Sequence, residues 1–295
     1  VRDVIEAGTP RRRRWIGIVV LAAVLAVPAV SLLISRNPGE QQAGRAPQAA
    51  TTGPGTGDGR GEAAGEQASV PNILRAGPRT TGDEETIDVV FPDGTKARVR
   101  YPAALRLGDR GSRPYQGAWI SGERAMFRKL YAPVGGVPRG TTWIRSMTGD
   151  VSLWSGRDGQ LLIFAFGRWR IALQDSRDGL TFEQRMEWAR SLKGKETRDG
   201  YLVLSAKDPV HLSKPGDRLG GEPAGPGLLF GDGRSELVSL VLTRDCRRNS
   251  GIPPELRWNA TYTDGVCRGD VFVSAAGKEA FVRAALLGIK VKLTE

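Results

Sequence analysis

Apolar residues fall into three textures along this chain of 295 residues. Residues 15–34 (WIGIVVLAAVLAVPAVSLLI) form an unbroken, uncharged run of twenty, directly after Arg11, Arg12, Arg13 and Arg14. As a helix rising about 1.5 Å per residue, the run reaches about 30 Å, the thickness of a bilayer's hydrocarbon core. The pattern predicts one transmembrane helix, because a lone segment in lipid must satisfy its own backbone polar groups. The arginines keep residues 1–14 cytoplasmic and send everything after Ile34 outside, which predicts a single-pass cell-membrane protein. A cleaved signal peptide is the alternative, with Val27-Pro28-Ala29 as the cleavage site. Against it, Ser31-Leu32-Leu33-Ile34 carries the apolar run past that site.

The second texture, residues 37–70, has no aromatic residue, leucine or isoleucine. Too little apolar surface is available there to offset the entropy of ordering, so 35–79 is predicted to be a disordered linker.

From about residue 80 short apolar runs recur between polar turns, and these predict strands. They fall at 87–91, 97–101, 118–121, 142–145, 151–154, 161–166, 169–173, 201–204, 237–242, 257–262, 270–274 and 289–293. Asp-Gly pairs begin at Asp93, Asp158, Asp178, Asp199, Asp232 and Asp264, and both residue types tolerate the positive φ of hairpin turns.

Two stretches have helical periodicity instead. Thr181 caps the first, Gln184 completes a capping box, and the helix runs to about Leu192 with Phe182, Met186 and Ala189 facing inward. The second spans about 277–287, with Phe281, Ala284 and Ala285 inward and Gly288 ending it. The expected fold class is therefore α+β: a mainly antiparallel β domain with two helices behind the span and linker. Each helix sits between two strands, which points to two similar lobes at 80–205 and 206–295.

Charge sharpens this picture. The chain carries +11, and subtracting +3 for residues 1–14 and −1 for 15–70 leaves +9 for residues 71–295. Outside a cell such an excess favours an anionic envelope polymer, while nucleic acid is not expected there. The densest basic patch is Arg244-Asp245-Cys246-Arg247-Arg248, so Arg244, Arg247 and Arg248 are the candidate contact surface. Cys246 and Cys267 are the chain's two cysteines, and in an oxidising compartment they should form a disulfide.

Catalytic signatures are sparse. No Gly-x-Ser-x-Gly elbow, Walker loop or His-Glu-x-x-His is present, and one histidine, His211, leaves no zinc site of cysteine and histidine. Asp208 and Ser213 flank His211 in an alternating, edge-strand-like segment. Paired carboxylates at Asp175 and Asp178, or from Asp83 to Glu85, stand where turns and caps recruit acidic residues. The tryptophans alternate with arginine, as at Arg168-Trp169-Arg170, a pattern that serves either a core strand or a stacking surface.

No motif names a family. The layout of basic tail, span, tether and compact outer domain resembles that of many bacterial envelope proteins. The reading is a non-enzymatic domain that binds an envelope component or a protein partner, with no cofactor or metal. Its rivals are a wall-acting hydrolase using carboxylates and a transmembrane signalling component.

Overall fold

Pro92-Asp93-Gly94-Thr95 reverses the chain as an Asp-Gly turn should. Gly94 takes φ +90°, Phe91 N–H donates to Thr95 O at 2.8 Å, and the Asp93 carboxylate accepts from Thr95 N–H at 3.0 Å. In this computed structural model the described residues are 72–122, 128–174, 179–219, 221–233, 235–249, 251–257 and 260–294. The predicted span, Arg11 to Arg14 and most of the predicted linker lie outside them. Among the described residues no helix is long and apolar enough to cross a membrane.

Those residues all belong to one compact unit, Ala63–Glu295. It begins with β1 (Arg79–Thr81), β2 (Glu84–Val90), β3 (Lys96–Pro102), β4 (Ser112–Ile120) and β5 (Arg128–Tyr131). Next come β6 (Thr142–Thr148), β7 (Val151–Gly156), β8 (Gly159–Phe166), β9 (Trp169–Gln174) and helix α1 (Phe182–Ser191). The chain continues with β10 (Leu192–Glu196), β11 (Leu202–Ala206), β12 (Val210–Leu212), β13 (Arg218–Leu219) and β14 (Glu222–Pro223). It closes with β15 (Gly227–Phe230), β16 (Leu237–Leu242), β17 (Tyr262–Arg268), β18 (Val271–Gly277), α2 (Glu279–Gly288) and β19 (Lys290–Thr294). Short helical turns occur at Leu107–Arg110, Cys246–Asn249 and Pro254–Arg257.

The domain is mainly antiparallel β. One sheet has four strands in the order β1-β2-β3-β19. A larger sheet of eleven runs β17-β18-β16-β15-β4-β5-β9-β8-β7-β6, with β12 also on β4. Within the large sheet the order β4-β5-β9-β8 is matched by β15-β16-β18-β17, and β4 and β15 pair directly. In each set the last strand in sequence leads into a ten-residue helix and then at once into another strand. The main core lies between the two sheets and the helices. It includes Val99 and Tyr101 of β3, Phe164 of β8, Val273 of β18, Trp188 of α1 and Val282 of α2.

Several expectations need correction. Asn72, Ile73 and Leu74 are already buried, and Leu74 bridges Ser112, so ordered structure starts before residue 80. The Asn72 amide explains why: it donates to Pro133 O and Arg170 O and accepts from Arg170 N–H, tying three segments together. The strand expected at 257–262 is instead a helical turn ending at Arg257, with β17 beginning at Tyr262. Asp264-Gly265 lies inside β17 and makes no hairpin, because Gly265 leaves room for Phe272, whose ring would be 2.3 Å from an added Cβ. Asp178 lies outside the described residues.

Thr181 does cap α1 with a full capping box. Its inward face is Trp188 and Ala189, however, while Phe182 is 50% exposed, because only the C-terminal half of the helix meets the core. On α2 the buried residues are Phe281, Val282 and Ala285, with Ala284 exposed. Gly288 is the last residue of that helix and Ile289, in extended conformation, is its cap. The missing Cβ of Gly288 makes room for Pro102, whose ring lies 2.4 Å from where a Cβ would stand.

Candidate contact surface

The Cys246–Cys267 disulfide forms, with Cα atoms 5.7 Å apart. It joins the helical turn after β16 to β17, and Thr243 N–H donates to Asp270 O at 2.8 Å beside it. Cys246 is buried, which turns its neighbours outward: Arg244 and Arg247 are both exposed. Neither guanidinium has a hydrogen-bond or ion-pair partner among the described residues, whereas Asp245 does make an interaction. The Arg248 side chain is outside the described set. The sequence-predicted patch is thus a short basic loop pinned at its centre, with two charges left for solvent or a ligand.

The other sequence candidates are placed differently. His211 sits on β12 opposite Trp119 and stacks on its indole, with ring centroids 5.7 Å apart. Ser121 Oγ lies 2.7 Å from His211 Nε2, and Asp208 Oδ1 lies 3.7 Å from the same nitrogen. A proton relay needs the carboxylate on one ring nitrogen and the hydroxyl on the other. Both groups here compete for one, so the constellation does not form that relay. Ser213 is buried and donates to Ala224 O while accepting from Gly117 N–H, which occupies its hydroxyl structurally.

Of the carboxylates, Glu84 pairs with Arg100 and Lys290 across the four-stranded sheet. Asp88 beside it is held below the ordinary carboxylate pKa by hydrogen bonds from Arg98 and Arg79. Asp175 and Asp178 lie outside the described residues. Among the described residues no three His, Cys, Asp or Glu side chains gather as metal ligands.

Sequence reasoning missed a charged cluster on the outer face of the large sheet. Lys129 of β5 pairs with Glu255, and its Nζ lies 4.4 Å from the centroid of the Tyr115 ring. Arg257 pairs with Glu222 at 3.1 Å on the same helical turn. Burial pushes the Lys129 amine down and the Tyr115 phenol up, and Glu255 partly offsets the first. The cavity beside them is about 50 Å³, lined by Tyr115, Lys129, Glu222 and Pro254 among others. That is room for a water or two, so the arrangement reads as a clamp on the turn. Tyr131 and Leu256 pack into the same outer cluster.

A larger cavity of about 560 Å³ opens between the β6–β7 turn, the end of β8, the C-terminus of α1 and β10. Its size falls in the range of small-molecule sites. Comparison with known proteins adds nothing to this geometry: no family model, curated protein or solved structure matches the chain.

Proposed function

We propose that this chain is a non-enzymatic binding protein of the cell envelope, held at the cell membrane by one N-terminal span, its folded unit outside. Its ligand on this reading is an anionic envelope polymer. The carrying observation is a pair of exposed guanidiniums, Arg244 and Arg247, without a partner among the described residues, on a loop fixed by the disulfide. A pinned loop loses little entropy on binding, so its charges act with more effect than those of a mobile tail. The +9 balance of residues 71–295 supports long-range attraction of the same sign. A disulfide fits an oxidising compartment, in agreement with the arginine-flanked apolar run. The matched strand orders about β4 and β15 support a further proposal, that the unit consists of two similar lobes.

Co-sedimentation of the full-length chain with purified phosphodiester-containing wall polymer tests the ligand. Binding should weaken steeply with salt and fall further on exchanging Arg244 and Arg247 for glutamate. Binding that ignores both changes, or capture of a protein partner through another face, would refute the polymer reading. Protease treatment of intact cells tests the topology: the folded unit should be released from outside.

A further inference from the structure

The two halves of the large sheet carry different residues at equivalent positions, and one of these differences bears on the 560 Å³ cavity. The β8–β9 turn is closed by the pair Phe166 and Trp169, and the β17–β18 turn by Arg268 and Val271. Both turns place a glycine at the first inner position with nearly the same backbone, Gly167 at φ 57° and Gly269 at φ 59°. Phe166 therefore corresponds to Arg268. The following helices end alike, with Leu192 N–H donating to Trp188 O and Ile289 N–H donating to Ala285 O.

In the second half Arg268 crosses to the end of α2. Its Nε donates to Ile289 O at 3.0 Å and its Nη2 donates to Leu286 O. The equivalent carbonyls in the first half belong to Leu192 and Ala189, and both residues line the 560 Å³ cavity. Phe166, also in that lining, has no donor to offer them. Lys207 N–H donates to Ser191 O, which sets the β10–β11 register so that the Leu192 carbonyl points away from β11. Asp150 borders the same space, and its exposed carboxylate has no partner among the described residues. The C-terminus of α1 adds the negative end of a helix dipole. Phe166 supplies a flat apolar wall, fixed by Gly194, whose missing Cβ would stand 2.4 Å from the ring.

We propose that this cavity is a receptor for an arginine side chain of a partner peptide, whose guanidinium takes the place that Arg268 fills internally in the other half. The planar fork can stack on Phe166, donate to the Ala189 and Leu192 carbonyls and pair with Asp150. Arg190 and Lys193 also border the cavity, exposed and without ion partners among the described residues. Being long and flexible they can swing away from a bound guanidinium, whereas the carbonyls and the ring are fixed. Their charge favours a peptide with acidic residues next to the arginine.

The test is a titration of the full-length chain with N-acetyl-arginine amide, N-acetyl-lysine amide and N-acetyl-glutamate amide, followed through the amide NMR signals of Gly167 and Gly194. Saturable shifts with the arginine amide, weaker ones with lysine and none with glutamate are expected. Asp150→Asn should weaken arginine binding about tenfold, the loss of one charged hydrogen-bonded partner. Phe166→Arg should abolish it by filling the site from within. If that variant fails to fold, Asp150→Asn still decides. No saturable shift with arginine, equal or tighter binding of glutamate, or indifference to Asp150→Asn would each overturn the proposal.

Discussion

Lys129 and Glu255 meet across 126 residues of sequence (255 − 129), one on the sheet and one on a four-residue helical turn. About a quarter of the Lys129 side-chain surface stays exposed, yet the amine is deep enough for desolvation to lower its pKa. Glu255→Gln should therefore cost more than a surface pair does, about 1–2 kcal/mol after allowing for partial exposure. Replacing both partners, Lys129→Met with Glu255→Leu, should recover most of that loss in urea denaturation. Equal losses in single and double variants would show that the pair does not clamp the turn.

Cys246→Ser with Cys267→Ser should lower stability by about 3 kcal/mol, judged by the loop the disulfide closes. The same double variant should retain its circular dichroism at low temperature and bind anionic polymer more weakly. Unchanged polymer affinity would separate the loop from the proposed contact.

Three buried phenols set the behaviour at high pH. Burial raises Tyr101, Tyr115 and Tyr201 well above their ordinary value of 10.0. In the unfolded chain they ionise near that value, so above it the folded state holds more protons. Stability is then complete below pH 10.0 and falls as pH rises past it, the unfolded phenolates drawing the equilibrium over. Lys129, with its lowered pKa, works in the opposite sense but is a single group. Tyrosinate absorbance should therefore rise together with the loss of β-sheet circular dichroism. A rise of three phenolates before any unfolding would contradict this.

Gly194→Ala should destabilise by about 1–3 kcal/mol, the cost of overpacking against the Phe166 ring. Thermal melts of Gly194→Ala alone and combined with Phe166→Ala check the cause. The second change should remove most of the clash while paying for its own lost packing.

Thr181→Ala should cost about 1 kcal/mol, because it removes the side-chain acceptor for Gln184 N–H at the start of α1. Thr181→Ser should be nearly silent in the same denaturation curves.

Local chemistry was readable in the sequence where it acts within a few residues. The capping box of Thr181 and Gln184, and the Asp93-Gly94 hairpin, involve neighbours, and two cysteines admit one intramolecular pairing. Features made by distant residues were not readable. Nothing near Lys129 in sequence announces Glu255, and nothing near Gly265 announces Phe272. Phe182 keeps helical spacing with Ala189 but falls on the part of α1 that has left the core. The basic loop was visible as a run of arginines, though not that Cys246 would bury itself and turn Arg244 and Arg247 outward. The 560 Å³ cavity is lined by separate stretches of the chain between Thr148 and Gly194, so it emerges only once the strand order is known.

The pairing of β19 with β3 has a consequence for the order of events in a living cell. The strand at residues 290–294 completes a sheet whose other members lie before residue 103. A ribosome that has delivered everything through α2 has delivered a small sheet with β3 as an open edge. Such an edge is a template for pairing with a neighbouring chain. The topology thus leaves one strand edge without its partner from residue 102 until residues 290–294 have been made.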